Sequence, residues 1–424
     1  MPLGTMPVVD YERHPAFEGM RAGNDTEAEA LVAKIDAAYA QLVAKAPDGL
    51  SLEAAFDRDI APKFDDLTDR LVATSRPRFH PYLKQAMDIA RNMLRDDLGA
   101  RNEAAMKSNS VMEKLKNHFA SGLSFFRQNG YYKFDQPSLA RFTWIATTVE
   151  RALLRLKSKQ IPAPHCVLSL HAHSPATLML KRVLQKSGAI DLASAYLGKP
   201  AEFFYAALDH AHPAQSWYQD CYNDTQLGTA KTVYMHTDAN CDIIKAMMYL
   251  QDVDEEDGPF CFVPGSSQWE RSPLVVAVQK GFDEASGYVF AGRPDNGNYY
   301  RPRFRHAEER RDMLALPPSL RGSTHFGDDV LDGSELSDAL LSAEKRFVAP
   351  AGTVVMFDGS RGIHRGGLVQ PGGSRWAIQL AFRVRRGPPP SRWRSLGKAA
   401  YGLLSYCKYI VTRTAGLARG RFLP

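Results

Sequence analysis

Apolar residues in the first third of the chain recur at three- and four-residue steps. Leu31, Ile35, Ala38, Tyr39, Leu42 and Val43 follow Asn24-Asp25-Thr26, whose side chains can cap a helix. Similar spacings run from Leu52 to Val72, from Tyr82 to Leu98 and from Glu103 to Phe126. Residues 1–120 therefore read as an N-terminal helical region whose simplest purpose is packing. The rhythm changes at Phe126-Arg127-Gln128-Asn129-Gly130-Tyr131, where a helix, a glycine C-cap and an entering strand are predicted, and a domain boundary is placed near residue 120. Helices are expected over 141–157 and 175–187, followed by strands at 203–208, 246–253 and from 260. Helical and alternating segments in this order give the α+β class.

Two of the strand segments carry chemistry. In His236-Thr237-Asp238, residues i and i+2 of an extended strand point to one side, so an imidazole and a carboxylate can meet one metal ion. His364 would supply a third ligand and close one face of an octahedron, leaving the other face open. Arg375 lies at the start of the next predicted strand, where its planar fork can take a dicarboxylate end-on. This set is the one a mononuclear non-haem iron(II) oxygenase requires, and the dicarboxylate it suggests is 2-oxoglutarate. Period-two spacing places Tyr234 and Thr232 on the inward face of the His236 strand and Gln379 on that of Arg375, as further candidates around the co-substrate. Each serves equally well as barrel filling.

An H-x-D tripeptide is common by chance, and its surroundings decide its meaning. After Asp238 come the apolar strand 246–253, the acidic turn Asp254-Glu255-Glu256-Asp257-Gly258-Pro259 and a strand ending in Pro264-Gly265-Ser266. A second block holds Ala351-Gly352-Thr353, His364-Arg365-Gly366-Gly367 and Arg375-Trp376-Ala377. Together these resemble the phytanoyl-CoA dioxygenase family of Fe(II)/2-oxoglutarate-dependent oxygenases over 120–386. The resemblance implies a double-stranded β-helix (jelly-roll) core at 121–386 with flanking helices. It also implies His236, Asp238 and His364 as metal ligands and catalytic residues, and Fe(II), 2-oxoglutarate and O2 as cofactor and co-substrates. The expected reaction is hydroxylation of a C–H bond in a small metabolite, anionic or not, with release of succinate and CO2. Desaturation, epimerisation and ring formation use the same centre and stay open. Gly366 departs from the family pattern, since many relatives carry a hydroxyl residue there to help hold the co-substrate.

The stretch 268–346 is long for a connection in a compact barrel and reads as an insertion forming a lid or substrate wall. Its arginines, Arg293, Arg301, Arg303, Arg305, Arg310 and Arg311, would suit an anion or a solvated loop alike. His171/His173 and His210/His212 have strand spacing for metal but lack a partner block. Asp328, Asp329 and Asp332 read as a solvated acidic loop.

With 44% hydrophobic and 24% charged residues, the 424-residue chain has the composition of a folded protein. It lacks an apolar run long enough to cross a bilayer and an N-terminal signal pattern, and a cytoplasmic location is expected. Five unclustered cysteines agree with a reducing compartment. Charge is uneven: no acidic residue follows Asp358, and thirteen Lys and Arg lie between Arg361 and Arg421. Residues 387–424 therefore form a basic tail behind Gly387-Pro388-Pro389-Pro390, read as a helix docked on the protein or one lying on an anionic membrane. No nucleic-acid-binding motif accompanies the charge, so the partners expected are a small-molecule substrate and, peripherally, lipid. The alternative from another class is a non-catalytic jelly-roll binding protein anchored through this tail.

Overall fold

The computed structural model describes residues 4–6, 8–44, 52–106, 110–160, 165–213, 222, 225, 227–238, 243–289, 306–385 and 405–412. The chain divides into two compact units. The first joins Met1–Asn109 to Trp217–Ala239 and Trp269–Ala343; the second joins Ser110–Ser216, Asn240–Gln268 and Glu344–Pro424. Among the described residues no helix is long and apolar enough to cross a membrane.

The first unit is helical, as the three- and four-residue spacing predicts. Helices Thr26–Ala44, Leu52–Asp59, Ala61–Thr74 and His80–Met106 share a core with helix Pro273–Val289. That last helix presents Leu274, Ala277, Val278, Phe282 and Ala285, while Leu83, Ala86, Met87 and Ala90 face the same core from helix His80–Met106. Most of the stretch expected as an insertion into the barrel thus packs with the N-terminal helices. The division at 109/110 also moves helix Ser110–His118 out of the N-terminal region. Periodicity shows that a helix has an apolar face, but not which partner covers it.

Among the described residues the second unit has nine strands: β1 Tyr131–Asp135, β2 His165–Ser169, β3 Ala201–Ala211, β4 Ile243–Tyr249, β5 Phe260–Phe262, β6 Lys345–Arg346, β7 Thr353–Phe357, β8 His364–Gly366 and β9 Arg375–Val384. They form a six-stranded antiparallel sheet, in the order β1-β7-β4-β9-β3-β2, and a three-stranded one, β6-β5-β8. Alternation along each strand separates two apolar layers. Ile244, Ala246, Met248, Val354 and Met356 pack against Leu123, Phe126, Leu180 and Leu184 of the covering helices. Met247, Tyr249, Val355 and Phe357 meet Phe260, Phe262 and Phe347. Helix Ala120–Asn129 ends at Gly130, in the left-handed conformation, and β1 starts at the next residue. The strand β2 was not anticipated from the sequence.

Candidate metal centre

His236 and Asp238 do not lie on a continuous strand. Residues 231–234 form a turn, Tyr234 has φ of 65°, and only an isolated bridge marks His236. A left-handed tyrosine is strained and needs outside support. Segment 324–332 supplies it. Asp328 accepts the Tyr234 N–H, Thr232 Oγ1 donates to Gly327 O (2.6 Å), and the Thr237 N–H reaches Thr324 O (3.1 Å). The expected inward row Thr232-Tyr234-His236 is therefore corrected. Thr232 is a tie between two loops, and Tyr234 packs its ring on His236, 4.6 Å between centroids.

The acidic residues are corrected too. Asp328 and Asp329 are buried, and Asp329 accepts the Tyr11 and Tyr222 hydroxyls at 2.7 and 2.8 Å. Asp332 accepts the Lys231 N–H at 2.8 Å. These carboxylates are bound by specific donors and shape the loop that carries His236, so a solvated-loop reading does not hold for the buried pair.

Each candidate histidine is held in the same way. Nδ1 of His236 lies 2.8 Å from Tyr234 O, and Nδ1 of His364 lies 3.0 Å from Gly362 O. A carbonyl can only accept, so both rings carry a proton on Nδ1, and in the neutral ring Nε2 is the nitrogen that bears the lone pair. That is the tautomer a metal ligand needs. Nε2 of His236 is 3.8 Å from Asp238 Oδ1. His364 pairs with Phe262 across β8 and β5 and sits 4.8 Å from the Phe357 ring. The potential ligand atoms of His236, Asp238 and His364 all lie within 4.8 Å of one another. Two imidazoles and one carboxylate, buried or nearly so, make a donor set that fits a divalent first-row metal.

Arg375 opens β9 opposite Ala211 and is buried. Its Nη1 donates to Gly258 O, in the acidic Gly-Pro turn, and Nη2 lies 3.9 Å from Asp209 Oδ2. Gln379 shares the face of Arg375 as expected, and its Nε2 donates to the same Asp209 oxygen at 3.4 Å. Asp209, fully buried on β3, was not singled out from the sequence; a lone carboxylate in an apolar strand, Ala206-Ala207-Leu208-Asp209, was the signal available. His325 was also missed. It stacks on His236 at 4.3 Å, and nothing in its local sequence marks it.

The other sequence candidates go elsewhere. Arg365 is not turned to solvent: Nε and Nη2 grip Glu344 at 2.6 and 2.8 Å. Burial works against its charge, and Glu344 more than restores it, leaving the guanidinium above its usual pKa. His210 stacks on Trp376 at 4.0 Å, and His171 bonds Ser405 Oγ at 3.1 Å. Arg310 is buried beside the Tyr222 ring and Arg311 is exposed, while Arg293, Arg301, Arg303 and Arg305 lie outside the described residues. Of the tail, helix 405–412 is docked. Tyr406 donates to Glu150 at 2.8 Å and Tyr409 to Ser169 O at 3.1 Å. Its Pro-rich linker lies outside the described residues.

Residues 191–368 match the family model described as phytanoyl-CoA dioxygenase (PhyH). Over that segment, which is less than half of the chain, the sequence is similar to this family. That segment takes in all three donors and ends before Arg375. A comparison with curated proteins gives no match. Similar solved structures include the non-haem α-ketoglutarate-dependent carbocyclase SnoK from nogalamycin biosynthesis, at 14% identity over 63% of this chain and 85% of that chain, TM-score 0.35. AviO1 from Streptomyces viridochromogenes Tue57 is 15% identical over 64% of this chain and 97% of that one, TM-score 0.35. EctD from S. alaskensis, solved with 2-oxoglutarate and 5-hydroxyectoine, is 15% identical over 63% and 84%, TM-score 0.34.

Proposed function

We propose that the protein is an Fe(II)- and 2-oxoglutarate-dependent oxygenase acting on a small molecule, and that its two sheets are those of a double-stranded β-helix. The observation that carries the reading is the group formed by His236, Asp238 and His364, with both imidazoles locked in the ligating tautomer. Bound there, iron with 2-oxoglutarate would supply the oxidising power to hydroxylate an unactivated C–H bond, with succinate and CO2 released.

The chain's own residues have separate tasks in this reading. The Tyr234 and Gly362 carbonyls hold the two rings by Nδ1 and so orient Nε2 as the ligand nitrogen. Arg375 offers its fork to the far carboxylate of 2-oxoglutarate, and its Nε has no hydrogen-bond partner among the described residues. Gly366 stands where relatives place a hydroxyl; a Cβ there would come within 3.3 Å of Arg375 Nη2, so glycine leaves the guanidinium accessible. Phe357 and Phe260 form an apolar wall beside His364, limiting water.

The test is succinate formation from 2-oxoglutarate with Fe(II) and ascorbate. Wild-type protein is expected to form succinate, and Asp238→Ala to abolish it while keeping its melting temperature within a few degrees, since this carboxylate serves the metal rather than the core. Unchanged turnover in that variant would exclude the assignment.

A further inference from the structure

We propose that the second unit carries a surface that docks on an anionic lipid bilayer, formed by helices Pro137–Ala146, Thr148–Gln160 and Pro175–Lys186. Four bulky apolar side chains on these helices face outward: Phe142, Ile145, Val149 and Leu178 are 58, 61, 47 and 45% exposed. Phe142 and Ile145 are one helical turn apart, Val149 continues the run past the bend at Thr147, and the helix bearing Leu178 packs against the first. The same helices bury Leu139, Leu153, Leu154, Leu180 and Leu184 on their inner sides, so folding has already used their core-facing stripes. Scattered exposed apolar residues need no explanation, but a gathered set does.

Charge identifies the occupant. Residues 136–190 hold eight Lys and Arg and one acid, Glu150. That acid is buried and bonded to Tyr406, so the outer side of these elements shows cations such as Arg141, Lys181, Arg182 and Lys186 without an exposed carboxylate. Helix 405–412, from the acid-free end of the chain, docks at that same Glu150 and adds the exposed Lys408 and Val411. A second copy would set cations against cations. Nucleic acid would engage the cations and leave the apolar side chains in water. An anionic bilayer satisfies both, with phosphate outside and acyl chains beneath.

The experiment is co-sedimentation of the full chain with vesicles of phosphatidylcholine alone or containing about a third phosphatidylglycerol. Binding to the anionic vesicles is expected to exceed that to neutral ones several-fold and to fall as salt rises to about 0.5 M. Phe142→Ser with Ile145→Ser should lower it about tenfold with an unchanged melting temperature. Lys181→Glu with Arg182→Glu should weaken it independently, which keeps the test valid if the serine variant unfolds. Equal sedimentation with both vesicle types, or undiminished binding by both variants, overturns the proposal. So does a dimer that the serine substitutions dissolve, or stronger retention on random duplex DNA that those substitutions leave unchanged. None of these readouts depends on oxygenase activity.

Discussion

Arg375 and Arg365 are ten residues apart and chemically identical, yet their surroundings assign them different work. Arg365 is saturated by a buried, two-point pair with Glu344. Arg375 contacts the Gly258 carbonyl and lies beside Asp209, and its Nε is unbonded among the described residues. A lysine cannot reproduce a planar fork. Arg375→Lys should therefore raise the 2-oxoglutarate concentration needed for half-maximal succinate formation by about tenfold or more, a loss of about 1.4 kcal/mol or greater. Arg365→Lys should leave that requirement within about twofold but cost about 1–3 kcal/mol of stability in denaturant titration, because a buried carboxylate loses one of its bonds. Equal effects on the co-substrate requirement would show that the pocket is misplaced. The sequence put both arginines near the ligand histidine; only the structure separated them, since Glu344 reaches Arg365 from twenty-one residues away.

The turn between β4 and β5 shows how an element sets a site. Gly258 adopts φ of +67°, and a Cβ at this position would lie 2.5 Å from Gly367 O and 2.8 Å from Val369 N. Both the left-handed backbone and the close approach exclude side chains. The same residue's carbonyl receives Arg375. Gly258→Ala is thus expected to destabilise the protein by about 2 kcal/mol or more and to weaken 2-oxoglutarate binding in parallel, measured by calorimetry under nitrogen. A stability loss without an affinity loss would disconnect the turn from the co-substrate. The acidic Gly-Pro turn was legible in the sequence because its chemistry is local. The His236 segment was not: its left-handed Tyr234 is held by Asp328, ninety-four residues later, and no local pattern reports such a partner.

At the scale of the whole molecule, buried neutral groups link folding to pH. Burial pushes the Cys261 thiol from its ordinary value of 9.0 up to about 12, and likewise the Tyr249 hydroxyl from 10.0 to about 12. Tyr249 meanwhile donates to Phe347 O and accepts the Phe260 N–H, at 2.9 and 2.8 Å. The unfolded chain ionises at the lower values, so it alone gains from rising pH above about 9. Stability contributed by these groups should be whole below pH 9 and decline toward pH 12. Denaturant midpoints across that range check this, with Cys261→Ala expected to flatten the decline. A thiol reagent at neutral pH should modify exposed Cys407 and spare Cys261 until unfolding, as read by peptide mass spectrometry.

The residues of the candidate centre and the helical character of the first third were legible in the sequence itself. Period-two and three-to-four spacings, a glycine cap and the His-x-Asp block are written within a few residues of where they act. Tertiary structure decided what depends on distant partners. It placed helix Pro273–Val289 in the core of the N-terminal helices rather than as a lid. It brought Asp209 to Arg375 and His325 to His236 across 166 and 89 positions of chain, and it turned an acidic run into the brace for a strained tyrosine. Burial is what converts a charge or a carbonyl into a specific constraint, and burial is a property of the packed chain rather than of any one segment.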